Sequence, residues 1–518
     1  MPSRPTTPVD RPRVGRPEGI TLGLVVAVFA LVLGLWAVLV PPFQAPDEKA
    51  HFDTALHLAI GDAWVGPGDQ RFLNAVQAAA GQAAAGTDSL PAASRATVQE
   101  LRAAHPGIDP GAVDQMTQHP PTAYLLQAAV LRTVGFEHLR WDHALLVLRL
   151  FDALVVLPLP VLAWAAVRRL TRSPRAAVVG AAAVLAVPEL ASIAASVTND
   201  ALTMSLGGLV TAVLVLALTG DRRPRVLLSL GIALGLLVIT KGTGLPAVPV
   251  VALALLLGPG APAWGRRLVE TAGVLLLAGA VGGWWWVRNL VVYRTLQPDG
   301  YAAIRPPQSF PAGQGPDALT FVDVSWGTVI RTFWGSFGSN AFASMSPWLL
   351  VPLTLVTVGV VAVLAFRRGP ARRTAVLLAV FPVLLLAAQT STSVHGYLTT
   401  TMVVGTQGRY LFPAVLALIV LSALAWRRLT GRTRLRRLLP VGLVVGMIVL
   451  AAVGLATARG RLVPGAGYAV WSDASLGATA TGVLAFVALL AAAVAVVGVA
   501  RLPSTPPDAV DSPVHPPR

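Results

Sequence analysis

Cysteine is absent from the chain, so disulfides and thiolate metal sites are excluded, and the redox state of its compartment leaves no mark. Lysine is nearly absent too. Lys49 and Lys241 are the only two, and arginine carries almost all the positive charge. Charged residues make up 12% of the 518, against roughly 25% in a soluble domain. Apolar residues take their place: 55% of the chain is hydrophobic and the mean hydropathy is +0.67. Such a composition is built for lipid. The signatures of nucleotide-driven and hydrolytic enzymes are also missing, since no G-x-x-x-x-G-K-[ST], G-x-G-x-x-G, H-E-x-x-H or G-x-S-x-G run occurs.

Apolar runs are present at 20–40, 146–167, 176–196, 201–219, 226–240, 244–257, 269–287, 347–366, 374–390, 410–426, 438–456 and 478–500. The predicted fold is therefore all-α: a polytopic membrane protein of about 12 transmembrane helices spanning 20–500. The runs 226–240 and 244–257 are short for full spans, which points to a tilted or partly re-entrant hairpin. The first run follows Arg4, Arg11, Arg13 and Arg16, as a signal peptide would. It is long enough to span a bilayer, and it ends in Val40-Pro41-Pro42-Phe43 rather than at a small-x-small cleavage site, so it reads as a retained helix.

Charge placement sets the orientation. With the N-terminus inside, every inner connection is basic: Arg168 to Arg175, Arg222 to Arg225, Arg266 and Arg267, Arg367 to Arg373, and Arg427 to Arg437. The net charge of +16 is thus explained by topology and anionic-lipid contact rather than by nucleic acid. The expected location is the cytoplasmic membrane, with both termini cytoplasmic. The tails 1–19 and 501–518, rich in Pro and Arg, read as disordered. The apolar stretch Thr122–Val134 is too short to span, and counting it would place Arg168–Arg175 outside. It reads as an interfacial helix within a first outer loop, 41–145, which carries eleven acids against six bases. A second outer loop, 288–346, shows little periodicity, and a third covers 391–409.

Residues suited to chemistry gather at the outer ends of these helices. In Pro46-Asp47-Glu48-Lys49-Ala50-His51, Pro46 can open a helix. Asp47, Glu48 and His51 would then share one face. That trio suits a general base or a divalent-cation site; acids that merely satisfy a helix dipole are the alternative. Asn199-Asp200 lies between two apolar helices, either as a cap or as a buried acid with a task. Lys241 sits in the hairpin Thr240-Lys241-Gly242. It either meets an anion or snorkels to the interface. Arg409, in Gln407-Gly408-Arg409-Tyr410, can clamp a phosphate. Arg288, in Trp286-Val287-Arg288-Asn289, either does the same or belongs to an interfacial belt. His119 in His119-Pro120-Pro121 faces the site or the loop surface. Arg149 and Asp152, at i and i+3, can pair with each other.

Pro46-Asp47-Glu48…His51, His119-Pro120-Pro121, Arg149-Leu150 and Asn199-Asp200 resemble the GT-C superfamily of membrane glycosyltransferases. Its members include protein O-mannosyltransferases and the aminoarabinose transferases of lipid A. The Trp286–Asn289 and Gln407–Tyr410 patterns are similar to those of a bacterial family of predicted membrane proteins placed within that superfamily. The resemblance implies an inverting glycosyltransferase. It would move a hexose or pentose from a polyprenyl-phosphate donor to an extracytoplasmic acceptor (glycan, lipid or protein). Asp47, Glu48, His51 and Asp200 would be its catalytic set or would hold a divalent cation. Asn199, His119, Gln407 and Tyr410 would bind substrate, and Lys241, Arg409 and Arg288 the lipid phosphate. A transporter or lipid flippase, or a non-catalytic cell-envelope scaffold, are the alternatives.

Overall fold

The computed structural model describes residues 14–84, 94–259, 262–300, 307–338, 343–431, 433–462 and 478–503. Most of the two predicted tails lies outside this set. Helix α1, Arg16–Leu39, opens with Pro17 in its first turn, where a missing N–H costs nothing. Its apolar body ends at Val40-Pro41-Pro42, where proline cannot continue the ladder. The first loop then folds as a small layer of its own: α2 (Glu48–Ile60), α3 (Asn74–Ala84), α4 (Val98–Ala104) and α5 (Thr122–Thr133). Strands β1 (Arg71–Leu73) and β2 (Ile108–Val113) pair antiparallel beneath them. Thr97 and Glu100 form a capping box on α4. Phe52, Tyr124, Leu131, Trp141 and Leu145 fill the layer's core.

The membrane bundle follows. Helices α6 (Trp141–Val156) and α7 (Leu159–Thr171) form one apolar run interrupted at Leu157-Pro158. Helices α8 (Pro174–Ala182) and α9 (Pro188–Ala194) are the two halves of a span bent by 71°, broken where Pro188 withholds its N–H. Next come α10 (Asp200–Leu218), the short pair α11 (Pro224–Val238) and α12 (Ala247–Leu257), and α13 (Trp264–Ala278), which continues through a π turn at Gly279–Gly283 into α14 (Trp284–Tyr293). Then follow α15 (Ala318–Trp334), the two-residue strands β3 (Ser336–Phe337) and β4 (Ala343–Ser344), α16 (Pro347–Leu364), α17 (Arg372–Thr400), α18 (Val415–Arg428), α19 (Thr433–Leu462) and α20 (Ala478–Arg501).

Among the described residues, nine helices are long and apolar enough to cross a membrane. With the bent pair and the two short apolar helices, these coincide one for one with the twelve predicted runs. The chain is an all-α, polytopic membrane protein. Helix α10 is 78% buried and lies at the centre, whereas α16 is 6% buried and presents Leu355, Val356 and Val363 outward, an apolar face suited to lipid. The basic connections meet at one end of the bundle. There Glu18 pairs with Arg168 at 2.9 Å, Arg169 donates to Thr219, Arg222 pairs with Glu270, and Arg175 donates to the Ala500 carbonyl. The first-loop layer sits at the other end.

Two expectations differ from the structure. The second outer loop shows little periodicity in the sequence, yet it contains α15, started by Asp317, whose carboxylate accepts from the Leu319 and Thr320 amides. The third loop was expected to begin at 391, but α17 runs on to Thr400. Thr392, Thr399 and Thr400 donate to carbonyls four residues back, so polar residues stay in the helix without leaving their hydroxyls unpaired.

One buried contact ties the layer to the bundle. Glu48, wholly buried, receives Arg149 in a two-pronged pair at 2.7 and 2.6 Å. Its oxygens also accept from the Phe43 and Val197 amides. The same guanidinium donates to the Ala37 and Val40 carbonyls, which the end of α1 leaves open, and to the Pro41 carbonyl just beyond. Arg149 therefore pairs with Glu48 and not with Asp152, which accepts from Gln127 and the Thr198 amide instead. Removing one partner of a buried pair costs about 3–5 kcal/mol. Glu48→Gln is expected to lower thermal stability in detergent by that order, and Glu48→Met with Arg149→Met to recover part of it. Unchanged melting in Glu48→Gln would contradict the contact's role.

Candidate functional site

The Glu48–Arg149 contact closes the turn after α1 so tightly that Asp47 takes a left-handed backbone, φ 58°. Aspartate tolerates that region better than most residues. Asp47 stands at the N-cap position of α2, yet its side chain caps nothing there. Its carboxylate instead accepts from Arg409 Nη2 at 2.8 Å. The dipole-satisfying role is thus not the one its side chain plays. The Asp47 side chain is 37% exposed while that of Arg409 is 5% exposed, so the acid forms the rim and the guanidinium the floor.

Arg409 reaches this floor through two close backbone crossings. A Cβ on Gly408 would meet the Phe333 nitrogen at 2.3 Å, so only glycine lets the 3₁₀ turn Gly408–Ala414 lie against α15. A Cβ on Gly207 would meet the Pro413 carbonyl oxygen at 2.1 Å, so the same turn also presses onto α10. Helix α10 carries Asp200 at its first position, two turns above Gly207. Asp200 accepts from Lys241 Nζ at 2.6 Å. Lys241 is extended at the tip where α11 has ended and α12 has not begun. Lys241 Nζ and the Arg409 guanidinium each lie 5.9 Å from the Tyr410 ring centre. Two ion pairs from four separate parts of the chain thus flank one tyrosine.

His51, one turn along α2 from Asp47, is buried, and its Nδ1 is 2.9 Å from the Tyr124 hydroxyl. Asn199 Nδ2 donates to that hydroxyl at 3.2 Å. Three polar atoms here are buried without a partner among the described residues: His119 Nδ1, Asn199 Oδ1 and Arg409 Nε. Such atoms are uncommon, and a cluster of them at one place marks unused binding capacity. Sequence reasoning passed over Tyr124, although it closes the His119-Pro120-Pro121 motif. It also passed over the buried Glu189 of α9, which accepts from the Ser336 amide.

The structure brings together Asp47, His51, Asn199, Asp200, Lys241, Arg409 and Tyr410, with His119 beside them. Gln407 precedes the 3₁₀ turn. Glu48 adjoins the group, but its carboxylate is taken up by Arg149. Arg288 is elsewhere: it lies on the exposed side of α14, over Trp285 at 5.0 Å and Tyr293 at 5.5 Å, beside Trp64 and Gln118. Of the four residues considered for a cation, Asp47 and Asp200 each face a cationic side chain, the Glu48 carboxylate is taken up by Arg149, and His51 Nδ1 lies against the Tyr124 hydroxyl. Among the described residues no group of three His, Asp or Glu side chains is arranged to hold a metal ion.

Protonation in the loop layer follows from these contacts. Burial works to raise the Asp47 pKa, but Arg409 above all, with His51 and Lys241, holds it below the usual carboxylate value. Burial pushes His51 down to about 3, with Lys241 adding to the effect and Asp47 opposing it. Burial and then Lys241 push His119 to about 3. His57 differs. Burial works to lower it, but Asp53 and Asp62 outweigh that and raise it to about 9.

The site and the fold define a polytopic membrane protein with a paired-charge centre at the end of the bundle opposite its basic connections. The chain belongs to the family of predicted membrane proteins DUF2142, whose model matches residues 29–418 and so spans every residue of the centre. No curated protein matches it. Among solved structures it is similar to ArnT from Cupriavidus metallidurans in the apo state, at 17% identity and a TM-score of 0.46 over 92% of this chain and 76% of that one. It is also similar to the apo oligosaccharyltransferase of Archaeoglobus fulgidus, at 13% identity and a TM-score of 0.43, covering 88% of this chain but 56% of that one. A third is the arabinofuranosyltransferase AftD from mycobacteria, at 17% identity and a TM-score of 0.44, with 86% of this chain and 27% of that one covered. The chain thus spans about half of the second and about a quarter of the third.

The sign of the histidine shifts is testable. His51 and His119 lie below their ordinary value, so the stability they contribute is complete above pH 6.5 and lost as pH falls toward about 3. His57 lies above it, so its contribution is complete below pH 6.5 and lost as pH rises through about 9. Histidine-labelled protein should show by NMR a neutral His51 and His119 at pH 5 and a protonated His57 at pH 7. A His51 that titrates near its ordinary value would contradict the buried geometry.

Proposed function

We propose that this protein is a glycosyltransferase that moves a sugar from a polyprenyl-phosphate donor to an acceptor on the side of the membrane opposite the basic connections. That side is extracytoplasmic if the basic connections are cytoplasmic, as charge placement in the loops favours. The carrying observation is the convergence of two ion pairs, Asp47–Arg409 and Asp200–Lys241, on Tyr410 at one bundle end. The first-loop resemblance to GT-C transferases agrees with this placement.

The chemistry assigned to the residues is as follows. The acceptor hydroxyl attacks the anomeric carbon from the face away from the phosphate. The bond between that carbon and the phosphate oxygen breaks, polyprenyl phosphate leaves, and the configuration inverts. Arg409 and Lys241 stabilise the charge gathering on the phosphate, the kind of fixed electrostatic aid that is often the largest single contribution. As Arg409 swings its donors to the phosphate, Asp47 is released to accept the acceptor hydroxyl. Because the Asp47 pKa is low, it orients that hydroxyl and takes the proton late, when the oxygen has become acidic. Asp200 holds Lys241, and His51, Asn199 and Tyr124 shape the sugar pocket. Glu48 and Arg149 are assigned to support.

Transfer from radiolabelled polyprenyl-phosphate sugars in proteoliposomes tests this. Asp47→Asn and Lys241→Ala should each lower the rate by roughly 10²–10³. The wild-type rate should stay flat between pH 5 and 8, since Asp47 stays ionised and His51 and His119 stay neutral there. Full activity in Asp47→Asn would overturn the assignment.

A further inference from the structure

A further cavity runs from beside the Arg409 turn, where Val329, Phe333 and Leu411 line it, to the basic end of the bundle, and the transfer described above gives it no role. This apolar cavity of about 740 Å³ is walled by α8, α15, α16, α17, α18 and α19. Val329, Phe333 and Leu418 are among the residues of its wall. Val356 and Val358 also line it and are 54% and 59% exposed on the lipid-facing surface, so the cavity opens sideways at membrane depth. A chain of methylenes fits such a wall, and water does not.

Its charged lining has one sign. Among the described residues the cavity is lined by Arg175, Arg427 and Arg436 and by no acid. Arg175 is in the first turn of α8, Arg427 in the last turn of α18, and Arg436 near the start of α19. All three therefore stand at the basic end, away from Arg409 and Lys241. Arg175 and Arg436 each keep a buried Nε without a partner among the described residues, although Arg175 spends its terminal nitrogens on the Ala500, Leu502 and Arg436 carbonyls. Guanidinium groups at the mouth of an apolar slot between membrane helices suit a phosphate headgroup.

We infer that this cavity holds an anionic glycerophospholipid from the leaflet at the basic end, with its acyl chain in the slot and its phosphate on Arg427, Arg436 and Arg175. Charge complementarity selects an anionic headgroup over a zwitterionic one. The level of the arginines selects the leaflet. A donor whose phosphate sits at Arg409 could place only its tail here and would bring no anion to the basic end.

Native mass spectrometry of the full-length protein tests this, after detergent exchange with phosphatidylglycerol, phosphatidylcholine or undecaprenyl phosphate added in turn. Wild type should retain one phosphatidylglycerol about tenfold more tightly than phosphatidylcholine, a difference of about 1.4 kcal/mol. Arg427→Gln with Arg436→Gln should remove that preference, and the two lysine replacements should keep most of it. Equal retention of the two phospholipids by wild type would overturn the inference. Displacement of phosphatidylglycerol by undecaprenyl phosphate would overturn it too, since the cavity would then serve the donor's tail. The wild-type comparison needs no variant to fold.

Discussion

A carboxylate and a guanidinium with no access to water, Glu48 and Arg149, hold together the two layers of this protein. Two charges taken out of water are costly unless each finds nearly all its hydrogen bonds. Here they do: the acid accepts from Arg149 and two amides, and the base also donates to the Ala37, Val40 and Pro41 carbonyls around the end of α1. The chain leaving the first membrane helix is therefore fixed within a few residues. That fixed turn forces Asp47 into its left-handed backbone and turns its carboxylate off the α2 axis toward Arg409.

The centre built on that turn is balanced in charge. Two acids face two cations, and the nearby histidines carry no charge at neutral pH. Such a centre is stable when closed on itself and can exchange partners when an anion arrives, because each cation already has a carboxylate that can let it go. The rigid parts are the backbone crossings at Gly207 and Gly408. They hold the Arg409 turn against two helices while the side chain stays free to reach. The first-loop layer, with its own core around Phe52 and Tyr124, covers one side of the centre and positions His51 and His119.

The twelve apolar segments and the gathering of the basic connections at one end were legible in the sequence, because a membrane imposes a length on each run and a charge on each connection. The membership of the centre was largely legible too, since Asp47, Asp200, Lys241 and Arg409 are costly residues at the outer ends of apolar runs. Their pairings were not. Glu48 and Arg149 are 101 residues apart and Asp47 and Arg409 are 362 apart, and nothing in local spacing encodes such contacts. Glu48 looked like half of an acid pair because it follows Asp47, yet successive residues on a helix point different ways. Arg149 and Asp152 have the spacing of a helical pair, but each found a stronger partner on another element. Helix α15 and the last turns of α17 were hidden for a different reason. Their polar residues satisfy themselves within the helix and imitate a loop.

The central claim is that Arg409, held by Asp47, is a phosphate-binding cation at the bundle end opposite the basic connections. The most direct measurement is the affinity of a short-chain polyprenyl phosphate, without sugar, for the purified protein, by calorimetry. Arg409→Gln should weaken binding about tenfold or more, whereas Arg288→Gln, on the exposed side of α14, should leave it unchanged. Equal affinity in wild type and Arg409→Gln would contradict the account.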